Sequence, residues 1–200
     1  MKTEYGQFRS IEMNDLAAWA SSPLWDDEEC GGEYLYPVRI DPRTAEREGA
    51  KLAVGNPPDE TYRLGHFFCA SSPHTHQGPY RHAIDFLVPD GTPVVAVDEG
   101  IVIEVQEHSD TFGDGPEFRG FLNHLTIQHD NGEFSQYCHL AKNSPAQHGI
   151  FQGLRVTRGQ PIAAVGKTGW TDRDHLHFIV FRAAQNESPF TFKSLKIRFS

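Results

Sequence analysis

No apolar run in the 200-residue sequence approaches the ~20 residues that carry a helix across a bilayer. With a mean hydropathy of -0.50, a soluble chain with no transmembrane segment is expected. Basic charge is also short: 18 Lys and Arg stand against 27 Asp and Glu, a net charge of -9, and the basic residues are dispersed. That leaves no electrostatic footprint for a phosphate backbone or an anionic membrane, so nucleic acid is excluded as a partner. The opening MKTEYGQFRSIEMNDL lacks the apolar core of a secretory signal, so export would be unconventional or this is not the start of the precursor. Only three cysteines occur, Cys30, Cys69 and Cys138, with no Cys-x-x-Cys. Neither a disulfide framework nor a cysteine zinc site follows; buried free thiols are expected, with a Cys30–Cys69 bridge as the alternative. Missing too are His-Glu-x-x-His and Gly-x-Ser-x-Gly, which removes helix-based zinc proteases and common serine hydrolases. Gly166-Lys167-Thr168 resembles the end of a phosphate-binding loop, but Pro161 stands where that loop needs its first glycine, so a turn is expected.

What is present is β-sheet patterning. From about residue 83, short β-branched runs alternate with Gly, Pro and Asn-Gly punctuation: 83–88, 92–97, 101–106, 124–129, 133–140, 161–165 and 175–181. The pattern predicts a mainly β fold of antiparallel sheets, with a hairpin at Asp130-Asn131-Gly132 and a surface loop over 108–120. Two hundred residues suffice for one well-buried domain, and a monomer is expected. Residues 1–60 read as an N-terminal arm or subdomain of open role, ahead of a domain at 61–200. In the arm, Asn14 or Asp15 could cap a short helix carrying Leu16 and Trp19. The DDEE run at 26–29 reads as a solvated acidic patch, and Pro42, Pro57 and Pro58 as irregular chain.

Chemistry concentrates in the histidines, eleven in number. In Asp174-His175-Leu176-His177-Phe178-Ile179-Val180 strand alternation sends His175 and His177 to one face and Leu176 and Phe178 to the other, toward a core. Neutral imidazole is both the commonest metal ligand and the side chain best matched to proton transfer near neutral pH. His139, at the end of the strand leaving the 130–132 hairpin, could hang over the same groove. Asp85 is an acid within an apolar strand, where a carboxylate is costly unless it ligates a metal or pairs, here with Arg81. His66, His108, His124, His129 and His148 read as surface or turn residues, and Cys138 as a core residue.

These residues resemble the lysostaphin/LytM-type zinc metallopeptidases, peptidoglycan endopeptidases. The matching pieces are the Asp85 strand before PDGTPV (89–94), AVDEGIV (96–102), the hairpin with His129 and Gly132, YCHL (137–140) and GKTGWTDRDHLHF (166–178). The resemblance spans about residues 74–182 and implies a LytM-like fold, of the duplicated hybrid motif type, with the histidines along a groove. It also implies one Zn²⁺ per chain, peptidoglycan peptides as substrate and hence a periplasmic or envelope location. By this resemblance His177 and Asp85 are metal ligands, while His139 and His175 stay off the metal, deprotonate water and stabilise the tetrahedral intermediate. One position departs from the commonest pattern: four residues before Asp85 stands Arg81, which cannot ligate zinc. Some relatives carry that ligand upstream in a His-x-Gly element, as in His76-Gln77-Gly78. This favours His76 over His82, three residues from Asp85 and out of phase with it on a strand.

Other functions stay open: a catalytically inactive LytM-like module that binds or activates partner hydrolases, or a zinc peptidase with a protein substrate.

Overall fold

The computed structural model describes residues 27–54, 60–73, 75–183 and 192–200. The helix expected around Leu16 and Trp19 lies outside them.

Thirteen strands are present among the described residues. They are β1 (Thr61–Leu64), β2 (Phe67–Ala70), β3 (Ile84–Phe86), β4 (Pro93–Val95), β5 (Gly100–Gln106), β6 (Phe112–Gly113), β7 (His124–Gln128), β8 (Phe134–Cys138), β9 (Arg155–Val156), β10 (Pro161–Ala164), β11 (Gly169–Trp170), β12 (Leu176–Ala183) and β13 (Phe192–Ser194). Each of the seven expected runs overlaps one of them. The main sheet runs β1-β2-β3-β12-β8-β7-β5-β9, with β13 beside β12, and its neighbouring pairs are antiparallel. β4 and β10 form a small antiparallel pair, and β6 with β11 a parallel one.

The register turns the alternation of β12 into a two-sided element. Leu176 pairs with Phe86, and Phe178 with Tyr137; all four are fully buried in the main core. Burying each large apolar side chain contributes about 1.5–3 kcal/mol, which fixes which way the strand faces. His177 is thereby set opposite Asp85 on one neighbour and Cys138 on the other. A one-residue slip would send the histidine inward, so core packing is what aims the site.

The expected hairpin forms, with Gly132 at φ 79 and its N–H donating to the His129 carbonyl at 3.1 Å. The loop at 108–120 holds β6 and a 3-10 turn, Pro116–Phe121. Helix α1 (Pro42–Leu52) lies in the stretch read as irregular. Asp41 caps it, accepting from the N–H groups of Arg43 (3.0 Å) and Thr44 (3.2 Å), and Pro42 sits in its first turn. Gly49 on α1 lies so close to the sheet that a Cβ would meet the Leu87 carbonyl oxygen at 3.1 Å. A second helix, α2 (Ser144–Gln147), is a single turn.

Cys30, Tyr34, Val38 and Ala45 join the same buried cluster as Phe86 and Phe178. All three cysteines are buried free thiols, so the Cys30–Cys69 bridge is not formed. In the acidic run Asp27 and Glu29 are exposed as expected, and its charges are also paired: Asp27 with Arg81 at 2.9 Å, and Glu28 with Arg182 and Lys193. Arg81 therefore faces Asp27 instead of Asp85, because β3 begins only at Ile84 and Arg81 lies in the preceding turn. His129 also departs from its expected place. It is buried, its ring nitrogens 2.7 Å from the Glu99 carbonyl and 2.9 Å from the Ser135 hydroxyl, so it joins the hairpin to the turn before β5 and to β8.

Candidate metal centre

Three ligand atoms converge on the polar side of β3 and β12. His177 Nδ1 lies 2.8 Å from Asp85 Oδ1, His76 Nε2 lies 3.2 Å from the same oxygen, and the two ring nitrogens are 3.3 Å apart. Among the described residues this is the one His/Asp/Glu/Cys cluster that could hold a metal ion. A tetrahedral ion with ligands at ~2.0–2.1 Å presents neighbouring ligand atoms roughly 3.3 Å apart, so the donor set and its spacing suit zinc with a fourth position open. His82 is elsewhere: its Nε2 lies 3.5 Å from Asp27 and its backbone N–H donates to the Ser194 hydroxyl.

Burial alone would push the Asp85 carboxyl up, yet His76, His175 and His177 around it hold it well below the usual carboxylate range. Burial also pushes the His177 imidazole down, against the pull of Asp85. An ionised carboxylate is the protonation state a metal requires of that ligand. The second Asp85 oxygen is engaged as well, accepting from the Ser72 hydroxyl at 2.5 Å.

Two more histidines flank the cluster. His175 Nε2 is 3.8 Å from Asp85 Oδ1, and the His139 and His175 rings are 4.5 Å apart between centroids. In each, the other nitrogen faces a backbone carbonyl: His139 Nδ1 is 2.7 Å from the Thr168 oxygen, His175 Nδ1 3.1 Å from that of Arg173. Carbonyls only accept, so both Nδ1 atoms carry a proton, which makes Nε2 the working nitrogen of each ring. Burial, with His175 and His177 adding to it, pushes His139 down to about 3. His139 also holds a left-handed backbone, φ 62, which is unusual for a residue with a side chain and is common at functional sites.

The turn that holds His139 explains Gly166-Lys167-Thr168. Gly166 donates its N–H to the His139 carbonyl at 2.8 Å, and a Cβ there would meet Ala141 N at 2.5 Å. The glycine serves close backbone approach, which puts the Thr168 carbonyl against His139. Lys167 pairs with Asp174 at 2.5 Å, linking this turn to the residue before His175. A cavity lined by Glu60, Ala70, Ser72, Asp172, Arg173 and His175 opens beside Asp85.

The structure thus brings His76, Asp85, His139, His175 and His177 together. Sequence reasoning missed Ser72, Thr168 and Arg173. The last two act through backbone carbonyls, which no side-chain pattern reveals.

The model of peptidase family M23 matches residues 79–189, more than half of the chain and inclusive of Asp85, His139, His175 and His177. The chain belongs to peptidase family M23. Its sheets are mainly antiparallel among the described residues. The M23 match begins three residues after His76, so the family pattern is silent on that histidine. Among relatives, the peptidoglycan DD-endopeptidase ShyA of Vibrio cholerae is 31% identical over 124 residues, 61% of this chain and 25% of ShyA. The glycyl-glycine endopeptidase ALE-1 of Staphylococcus capitis is 29% identical over 136 residues, 68% of this chain and 34% of ALE-1. The chain therefore spans only a quarter to a third of these relatives. Among solved structures, the catalytic domain of lysostaphin from Staphylococcus simulans aligns at 27% identity over 56% of this chain and 74% of that one, TM-score 0.41. Within the described residues no helix is long and apolar enough to cross a membrane.

Proposed function

We propose that this M23 peptidase is a zinc-dependent endopeptidase that hydrolyses peptide bonds in peptidoglycan stem peptides or cross-bridges. The observation that carries the reading is the triangle of His76 Nε2, Asp85 Oδ1 and His177 Nδ1, with edges of 2.8, 3.2 and 3.3 Å, beside two histidines of fixed tautomer. His76, Asp85 and His177 would hold the zinc, leaving one position for water and substrate. When bound, zinc supplies Lewis-acid polarisation of the scissile carbonyl and lowers the pKa of water to about 7.

The remaining chemistry belongs to His139 and His175. Each offers an Nε2 lone pair, held in place because its Nδ1–H is committed to a carbonyl. One accepts the proton of the attacking water and passes it to the departing amine. The resulting imidazolium, in a buried setting, stabilises the negative charge of the tetrahedral intermediate. Peptidoglycan is supported as substrate by the relatives' activities on it, and it would place the enzyme in the cell envelope. The test is digestion of purified peptidoglycan by zinc-loaded protein with fragments read by mass. New peptide termini, abolished by a chelator and restored by zinc, are expected; intact peptidoglycan beside a cleaved protein substrate would redirect the reading to proteins. Intact peptidoglycan with zinc bound would point to an inactive binding module.

A further inference from the structure

The geometry points to Ser72 as the residue that positions two metal ligands against each other, an inference that rests on reading His76, Asp85 and His177 as ligands. Ser72 touches both of the ligands that differ most in chain position from β12. Its hydroxyl donates to Asp85 Oδ2 at 2.5 Å, and its carbonyl accepts the His76 N–H at 2.8 Å. The same carbonyl takes the Thr75 N–H at 3.0 Å, and the Thr75 hydroxyl stands 3.3 Å away, closing the turn that delivers His76.

Ser72 does this from φ 44, a left-handed backbone that residues with a Cβ avoid. Such a conformation persists where surrounding contacts over-determine it, and here the hydroxyl and the carbonyl of Ser72 are committed to the site. The consequence is a division of labour on Asp85. Oδ1 faces His76 and His177, while Oδ2 is tied to Ser72. Ser72 thereby keeps the carboxylate a one-oxygen ligand and stops it from rotating both oxygens onto the metal. Partners of this kind around a metal's ligands typically change affinity ~10–100-fold when removed.

Two variants test this. Ser72→Ala deletes the hydroxyl, and Ser72→Gly deletes it while accepting the left-handed backbone, so that a folding defect in the first leaves the second to decide. Zinc affinity is measured by competition with a chromogenic chelator, the Tm of the metal-free proteins is compared, and cobalt(II) is bound in place of zinc. Both variants should bind zinc ~10–100-fold more weakly than wild type at similar metal-free Tm. Their visible cobalt d–d absorption should weaken, as it does when a four-coordinate site gains a fifth ligand oxygen. Zinc affinity of Ser72→Gly within twofold of wild type, or an unaltered cobalt spectrum in both variants, overturns the assignment. Failure of wild-type protein to bind zinc at all would instead refute the ligand reading beneath it.

Discussion

Replacing His139 by Ala separates metal binding from proton handling. The ring is buried and close to His175, but it is not one of the three converging ligands, and its centroid lies 6.1 Å from that of His177. Zinc content should therefore stay near one per chain. What disappears is an Nε2 lone pair whose direction is fixed by the 2.7 Å contact of Nδ1 with the Thr168 carbonyl. Loss of a positioned acid–base group costs ~10²–10⁴ in rate, about 2.7–5.5 kcal/mol of transition-state stabilisation. The assay is single-turnover cleavage of a defined cross-linked fragment, with zinc by atomic absorption and Tm on the same samples. Because His139 and His175 act as a unit, the double Ala variant should be little slower than either single one. Near-normal turnover in His139→Ala, or loss of zinc and activity together, would refute the division of roles.

Other substitutions probe separate parts of the site and the fold. His76→Ala should lose most bound zinc and His82→Ala should keep it; the reverse, read by metal analysis, would reassign the ligand. Glu133, fully buried, accepts from Gly31 N–H (2.7 Å), Tyr34 OH (2.6 Å), Asn131 Nδ2 (3.1 Å) and Arg182 (2.7 Å). Glu133→Ala should cost about 3–5 kcal/mol at pH 7 by chemical denaturation. Burial pushes the Glu133 carboxyl up, but these donors outweigh it and hold its pKa below the ordinary 4.5. Its contribution is therefore complete well above pH 4.5 and fades as pH falls through the lower folded value, so wild type and variant should converge in acid. Gly166→Ala should lower both Tm and kcat, because the added Cβ displaces the turn that holds His139; unchanged values for both would contradict the close approach.

Seven strands from residue 83 onward were legible because each is an apolar run bounded by turn residues, and alternation in 175–181 already assigned the faces of Leu176 and His177; β6, β9, β11 and β13, two or three residues each, are too short to show a pattern. Helix α1 escaped that pattern because it buries only Ala45 and Gly49, too little for an apolar stripe; its readable signal was Asp41-Pro42, a cap and a first-turn proline. The β1–β2 hairpin was missed because Tyr62 and Arg63 are both exposed, which breaks strand alternation. His139, His175 and Asp85 lie near one another because β12 pairs with both β3 and β8, and their strands were readable one by one. Ser72 did not announce itself, since its partner is a tertiary neighbour, and His129 was misplaced for the same reason: its ring is held by Glu99 and Ser135.

The most direct test of the account is digestion of purified peptidoglycan by the metal-stripped protein, before and after addition of one equivalent of zinc, with every released fragment identified by mass. Zinc-dependent appearance of peptides with new amino and carboxyl termini, absent when His177→Ala replaces the wild type, is the predicted result. Equal release without zinc, or by the His177→Ala protein, would contradict it.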